Sequence, residues 1–345
     1  MKAAQVQGTS GSAIHLLKLA SVCPETVAFA DLASNVLFVD ENSNVFCERV
    51  TRDLVDIEMV SCERMKTLAF AEPSCVTLVR LEEAQRRVEQ LGGHEGRVTG
   101  LALFHTQGNL TWVVSADERG NVLRWNATAV TSPASQRIHR KAVSKLLATR
   151  LADGRDAFLT TSDDRQVVIC DVTSGEVLIR LAAHAGWVEQ IVPLSQAGYL
   201  WGIAVVDRIG LTIWDAKTGL AIGRVFGKST ADVATFWHPS CGTLVVFTTL
   251  DTVALWSLNG LTFIPQPTRD VVRASAVTID AIGRISILAG VGDTILISKP
   301  GGLFEQTRIR FPAAILRWYP WSSGTGVIIV LEDWSIWNTV VNDAK

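Results

Sequence analysis

The sequence predicts an all-β protein assembled from four-stranded units repeated along its 345 residues, and three observations lead there. A histidine recurs with a valine four positions later: His94 with Val98, His139 with Val143 and His184 with Val188, the histidines standing 45 residues apart each time. In phase with them, the apolar runs "GNVLRW", "RQVVIC", "GLTIW" and "DTVALW" end at Trp125, Cys170, Trp214 and Trp256, in steps of 45, 44 and 42. Hydrophobic residues make up 48% and charged ones 19%, enough apolar surface for an extensive core rather than a disordered chain. A fixed period of roughly 40 to 45 residues marks an array whose units bury their apolar faces only against their neighbours.

Each unit reads as four short strands, a to d. In the clearest one, "RVTGLALF" (97–104) is strand a, "TWVVSAD" (111–117) strand b and "NVLRWNA" (121–127) strand c, with the polar "ERG" as the tight turn between b and c. Strand d is faint after Trp125 but clear in the next unit, where "GEVLIRLAAH" (175–184) follows a "TSG" turn. Extended along the chain, the template places c-strand ends near Cys47, Arg80, Trp125, Cys170, Trp214, Trp256, Ser298 and Trp337. The step from Cys47 to Arg80 is only 33 residues, so residues 50–90 are either a compressed unit or an insertion. The first choice gives eight units, the preferred count, and the second gives seven. At the far end "AAILRWYP", "TGVIIVLED" and "WSIWNTV" supply a, b and c without a d. Near the N-terminus "AIHLLKLA" (13–20) stands as a spare strand before "TVAFADL", the expected first a-strand. That spare strand is expected to complete the last unit and close the ring, which removes two open sheet edges.

Composition narrows the function classes. A net charge of -2 gives no general reason to expect nucleic acid or an anionic membrane, both of which recruit basic surfaces. No apolar run reaches a bilayer span, because Asp251, Glu332 and Asp333 interrupt the longest stretches. "AIHLLKLASV" carries His15 and Lys18 and reads as no targeting signal. Cys23, Cys47, Cys62, Cys75, Cys170 and Cys241 form no CxxC pair, which favours a reducing compartment. The expected location is intracellular, cytoplasmic or nuclear, with organelle import left open.

The "GH" at 93–94, the histidines placed 30 or 31 residues before each c-strand end, and the "WD" at Trp214-Asp215 resemble the WD-repeat (WD40-type) β-propeller family. "CD" at Cys170-Asp171, "WN" at Trp125-Asn126 and "WS" at Trp256-Ser257 are weaker echoes, and residues 92–260 match best. The resemblance implies one propeller domain over 1–345, in which a loop His, a strand-b Ser or Thr, a turn Asp and the c-strand Trp share a buried hydrogen-bonded chain. Carried onto this sequence, one such set is His94, Ser115, Asp117 and Trp125. The other is His139, Ser162, Asp164 and Cys170, without an indole donor. Such sets have a physical reason, because each buried polar group left unpaired costs about 1–3 kcal/mol.

Chemistry finds little else to stand on. Ser, His and Asp recur at unit spacing, whereas a catalytic triad needs one assembled site with an oxyanion hole. There is no GxSxG, HExxH, GxxxxGK[ST] phosphate loop or EF-hand spacing, and no Cys/His cluster at ligand spacing, so no enzyme, cofactor or metal is expected. What remains is surface. Arg119, Arg165 and Arg208 sit in three successive b–c turns, and Arg97, Arg140 and Lys141 in the d–a loops at the same end. They either neutralise neighbouring aspartates or form a dock for an acidic or phosphorylated segment. Trp187, in "HAGWV", lies at the same end, and Trp and Arg are the residues most enriched at interface hot spots. Trp318, Tyr319 and Trp321 form a second aromatic cluster in an a–b connection. The expected function is a non-catalytic scaffold for protein–protein interaction within a larger complex. The alternatives are an RNA-associated propeller in a ribonucleoprotein and a propeller hydrolase. The stretch "WDAK" at 214–217 lacks the WDxR mark of ubiquitin-ligase adaptors in the family, so that role is not carried over.

Overall fold

The computed structural model describes residues 2–5, 14–19, 26–31, 35–40, 45–49, 54–62, 65–82, 85–106, 110–129, 132–181, 186–196, 198–226, 232–238, 242–248, 252–257, 262–267, 274–279, 285–298, 307–313, 315–320, 326–331 and 336–340. Among these there is no helix, and the strands form eight four-stranded antiparallel sheets.

The chain opens on β1 (Lys2–Gln5). The first sheet then takes β2 (Ile14–Leu19), β3 (Thr26–Asp31), β4 (Asn35–Asp40) and β5 (Val45–Arg49) in chain order. The second holds β6 (Asp56–Cys62), β7 (Met65–Ala71), β8 (Val76–Glu82) and β9 (Gln85–Leu91). The third holds β10 (Val98–Thr106), β11 (Leu110–Asp117), β12 (Asn121–Asn126) and β13 (Ala134–Arg137). The fourth comprises β14 (Val143–Arg150), β15 (Asp156–Ser162), β16 (Val167–Asp171) and β17 (Val177–Leu181). The fifth comprises β18 (Val188–Gln196), β19 (Tyr199–Asp207), β20 (Gly210–Asp215) and β21 (Ala221–Phe226). In the sixth are β22 (Asp232–His238), β23 (Gly242–Thr248), β24 (Thr252–Ser257) and β25 (Thr262–Pro267). In the seventh are β26 (Ala274–Ile279), β27 (Ile285–Val291), β28 (Thr294–Ser298) and β29 (Thr307–Arg310). The eighth joins β30 (Ile315–Pro320), β31 (Gly326–Leu331) and β32 (Ile336–Val340) to β1, in the order β1-β32-β31-β30.

Alternation along each strand explains why the units need one another. In β11, Val113 faces the second sheet and packs with Ala69, Leu78 and Trp125, while Val114 and Ala116 face the fourth and pack with Phe158 and Cys170. The same division recurs onward: Leu159 and Ile169 of the fourth sheet meet Ile203 and Trp214 of the fifth, and Val206 of the fifth meets Val245 and Trp256 of the sixth. Central strands buried on both faces read as unbroken apolar runs, as "VVIC" does in β16 before Asp171. Each large apolar side chain sealed in these interfaces contributes about 1.5–3 kcal/mol, an upper figure because unfolded chains already bury some surface.

Polar contacts fix the register between sheets. Leu101 N–H donates to Asp56 Oδ2 (2.8 Å), Gln190 Nε2 donates to the Val233 carbonyl (3.2 Å), and Trp201 Nε1 donates to Thr243 Oγ1 (3.0 Å). Arg124 of β12 reaches into the fourth sheet, donating to the carbonyls of Val172 (2.6 Å), Thr173 (2.8 Å) and Ser174 (3.1 Å). Gly175 leaves room for that guanidinium, since a Cβ there would lie 2.3 Å from Arg124 Nη2.

Two expectations are corrected near the N-terminus. Residues 13–20 do not complete the last unit: β2 pairs with β3, and β1 pairs with β32, Lys2 opposite Val340 and Gln5 opposite Trp337. The backbone gives the reason. β2 carries a register shift at Ile14/Leu16, the irregularity also found in the first strand of the third, fourth and fifth sheets at Val98/Gly100, Val143/Lys145 and Val188/Gln190. "TVAFAD" is accordingly a second strand, and Cys47 belongs to the fourth strand, β5, rather than to a third. Val39, opposite Val27, is the third-strand counterpart, and Arg80 follows it by 41 positions, so the anomalously short step disappears. Residues 50–90 hold a four-stranded sheet of their own, not an insertion. The contacts between neighbouring first strands, together with the sequence order of the sheets, make the fold β-propeller-like.

Candidate functional site

The register places the start of a sheet's first strand beside the end of its second: Val98 opposite Asp117, Val143 opposite Ser162, Val188 opposite Asp207. The loop entering each sheet and the turn between its second and third strands therefore share one end of the sheet. All six singled-out cations and Trp187 lie at that end of the third, fourth and fifth sheets.

Beneath the surface, His94 lies between Ser115 and Asp117. Its Nε2 is 2.5 Å from Ser115 Oγ and its Nδ1 is 3.1 Å from Asp117 Oδ2, with the His94 and Asp117 side chains fully buried. A carboxylate only accepts, so Nδ1 carries the proton. Asp117 also accepts from the Arg119 N–H (2.9 Å), the Asn121 N–H (2.9 Å) and Asn121 Nδ2 (3.0 Å). Burial pushes the Asp117 carboxyl up, but the Asn121, His94 and Arg119 hydrogen bonds together hold it below the ordinary carboxylate range. Trp125 meets the His94 ring edge-on, centroids 6.1 Å apart.

The second set differs from expectation. His139 Nε2 is 2.9 Å from Thr160 Oγ1, not from Ser162, and Nδ1 is 3.1 Å from Asp164 Oδ2. Ser162 instead donates from Oγ to the Lys141 carbonyl (3.2 Å) and accepts from the Asp164 N–H (3.1 Å). Register explains the exchange. Thr160, opposite Leu146, is the counterpart of Ser115, opposite Leu101, whereas Ser162 is the counterpart of Asp117. The two turns are equally long, but the acidic residue has moved two positions along. The signal was present in the sequence, because His94 to Ser115 and His139 to Thr160 are both offsets of 21. Burial, the largest influence, keeps His139 below the ordinary imidazole range despite Asp164, so it is a neutral donor to that carboxylate rather than half of an ion pair. Asp164, also resisted by burial, is held low by the Arg140 N–H, by His139 and by the Gln166 N–H. Cys170 is fully buried and burial pushes its thiol up to about 12. In the fifth sheet the counterpart of Ser115 is Val205, and His184 lies outside the described residues.

At the surface, the arginines do not pair with the aspartates beside them. Arg119 Nη1 pairs with Glu95 Oε2 (3.1 Å), both exposed. Arg97 faces Glu118 through the backbone, its N–H donating to Glu118 Oε1 (3.2 Å) and its carbonyl accepting the Glu118 N–H (2.9 Å). Among the described residues, no ion pair engages the exposed side chains of Arg97, Arg140, Lys141, Arg165 or Arg208. Arg165 is the one described non-glycine residue in the left-handed region (φ 68°), and its counterpart in the preceding turn is Gly120 (φ 87°). Trp187 is 60% exposed and Ile209, next to Arg208, 39%, an apolar neighbour that the sequence reading overlooked. Gly186, the residue before Trp187, lies against Arg208: a Cβ on Gly186 would lie 3.1 Å from Arg208 Cγ and Cδ. The side chains of Trp318, Tyr319 and Trp321 lie outside the described residues.

Among the described residues, no three or more His, Cys, Asp or Glu side chains are grouped to hold a metal ion, and no helix is long and apolar enough to cross a membrane. No family model matches the chain, and no curated protein matches it. Among solved structures, it is similar to the crystal structure of the computationally designed Ika8 protein, with a TM-score of 0.69 and 15% identity over 97% of this chain and 98% of that one. That likeness is one of fold.

Proposed function

We propose that the chain is a non-catalytic WD-repeat scaffold that mediates protein–protein interaction as a subunit of a larger complex. In this reading the eight sheets are blades of one propeller, and the pairing of β1 with β32 closes the ring. The repeated His–Ser/Thr–Asp contacts in the third and fourth sheets support the family assignment.

One observation carries the functional reading: the His94, Ser115 and Asp117 side chains are sealed inside, while unpaired cations and an aromatic stand outside. Ser115, His94 and Asp117 have the order of contacts of a hydrolytic triad, yet Ser115 has no exposed surface, and a nucleophile must meet its substrate. The exposed turns come from distant parts of the chain but are held by packed sheets, so little ordering entropy is lost when a partner docks.

The test is affinity capture of the full chain from its native cell, followed by sizing and mass spectrometry. A stable protein assembly that survives nuclease and high salt supports the scaffold. Salt-sensitive RNA retention abolished by Arg119→Glu, Arg165→Glu and Arg208→Glu together would assign the chain to a ribonucleoprotein. Turnover of an ester or amide probe lost in Ser115→Ala, with folding intact, would make it a hydrolase.

A further inference from the structure

Three unusual features coincide where the fourth sheet adjoins the fifth. The first is charge without partners. At the third sheet, Arg119 is answered by Glu95, and the Glu118 carboxylate lies against the backbone of Arg97. At the fourth and fifth, Arg140, Lys141, Arg165 and Arg208 are exposed and engaged in no ion pair among the described residues. Of the nearby aspartates, Asp164 takes hydrogen bonds from His139, the Arg140 N–H and the Gln166 N–H, and Asp207 from the Ile209 N–H, while exposed Asp163 forms no ion pair among the described residues.

The second is backbone strain. A β-carbon crowds the following carbonyl in the left-handed region, and the sister turn avoids this with Gly120, yet here the position is an exposed arginine. Strain held at a surface turn points to a use for the side chain. The third is apolar exposure. Trp187 and Ile209 are both exposed; Ile209 follows Arg208 in the chain, and Trp187 follows Gly186, against which the aliphatic stem of Arg208 lies.

Taking the chain as a scaffold, we propose that this corner is the dock for an unmodified acidic protein segment that carries an apolar residue among its carboxylates. Arg140, Lys141, Arg165 and Arg208 receive the carboxylates, for which the guanidinium fork is well shaped, and Trp187 with Ile209 receives the apolar side chain. Charge complementarity selects an acidic partner. The pairing of tryptophan with isoleucine selects a protein over RNA, because bases stack on aromatic faces and gain little from an aliphatic one. The four cations are also confined to two sheet ends and form no track for a phosphate backbone.

The experiment uses the full chain and fluorescence anisotropy of three labelled probes: a short peptide alternating Glu and Leu, its Gln-for-Glu counterpart, and a single-stranded oligouridine. The Glu peptide should bind saturably and about tenfold or more tighter than the Gln peptide. Arg165→Glu with Arg208→Glu should weaken it about tenfold, as should Trp187→Ala, while Arg150→Gln, at the opposite end of the fourth sheet, changes it less than about twofold. All these side chains are exposed, so unchanged unfolding midpoints confirm that the variants fold. No saturable binding of the Glu peptide, equal binding of the Gln peptide, or indifference to the Arg165/Arg208 pair overturns the dock. So does tighter binding of the oligouridine that Trp187→Ala leaves intact. If native partners are still captured by the variant chain, the dock fails and the scaffold stands; if the wild type captures none, the scaffold itself fails.

Discussion

His139 Nε2 lies 2.9 Å from Thr160 Oγ1, in a pocket where neither group meets solvent. Because Nδ1 donates to Asp164, the neutral ring accepts at Nε2 and the threonine hydroxyl is the donor. Thr160→Val keeps the shape and removes that donor, leaving a buried acceptor unsatisfied. It should lower unfolding stability by about 1–3 kcal/mol, read as a lower urea midpoint, while Thr160→Ser stays much closer to wild type. Equal midpoints for the two variants would mean the imidazole finds another partner.

Acid should destabilise the protein in two steps. His139 is held below its ordinary value, so the unfolded chain binds the proton first, and stability falls as the pH drops below about 6.5 toward the folded value. Asp117 and Asp164 are held low, so their contributions persist until the pH falls below about 4 and are then lost. Unfolding midpoints measured across this range should show both regions. His139→Gln should flatten the upper one and leave the lower.

Gly120 and Arg165 occupy the same place in consecutive turns, and opposite substitutions should have opposite effects. A Cβ on Gly120 would lie 2.4 Å from the His139 carbonyl oxygen, and the left-handed backbone alone costs a side chain about 1–2 kcal/mol, so Gly120→Ala should lower the melting temperature markedly. Arg165→Gly relieves that strain but gives the unfolded chain more freedom, for a net gain of up to about 1 kcal/mol. A loss of stability in Arg165→Gly would show that its side chain holds the turn together.

Cys170 should resist thiol reagents until the fourth sheet opens. The thiolate is the reactive form, and burial keeps it scarce by pushing the thiol up to about 12. Peptide mapping after brief alkylation near pH 8 should show modification at half-buried Cys75 well before Cys170, and denaturant should erase the difference.

Where a polar or aromatic landmark recurred, the architecture was legible from the residues. The 45-residue rhythm of His94 and His139 located the third and fourth sheets because those side chains are fixed by buried partners. β13, "ASQR", has Ala134 as its one apolar residue and mostly exposed positions, so there is no periodicity to detect there. β1, "KAAQ", is too short to alternate, which is why the role of residues 13–20 was misread. Ser162 stands closer than Thr160 to Asp164 in sequence, and sequence distance alone therefore points to the wrong hydroxyl. A strand reverses facing at each residue, and only the pairing of Thr160 with Leu146 shows which hydroxyl meets the imidazole.

The alignment of Lys2 with Val340 has a bearing on the order of assembly during synthesis. The first seven sheets draw their strands from one continuous stretch each, so each has all its strands as soon as the ribosome has extruded that stretch. The eighth cannot: β1 precedes β32 and must wait, unpaired, for it, and so distant a contact repays the entropy of joining its ends only after the seven sheets between them are out. Premature termination before β30 would thus leave the apolar face of the seventh sheet around Leu288 and Ile295 without Ile315 and Ile329, a species for quality-control machinery to recognise.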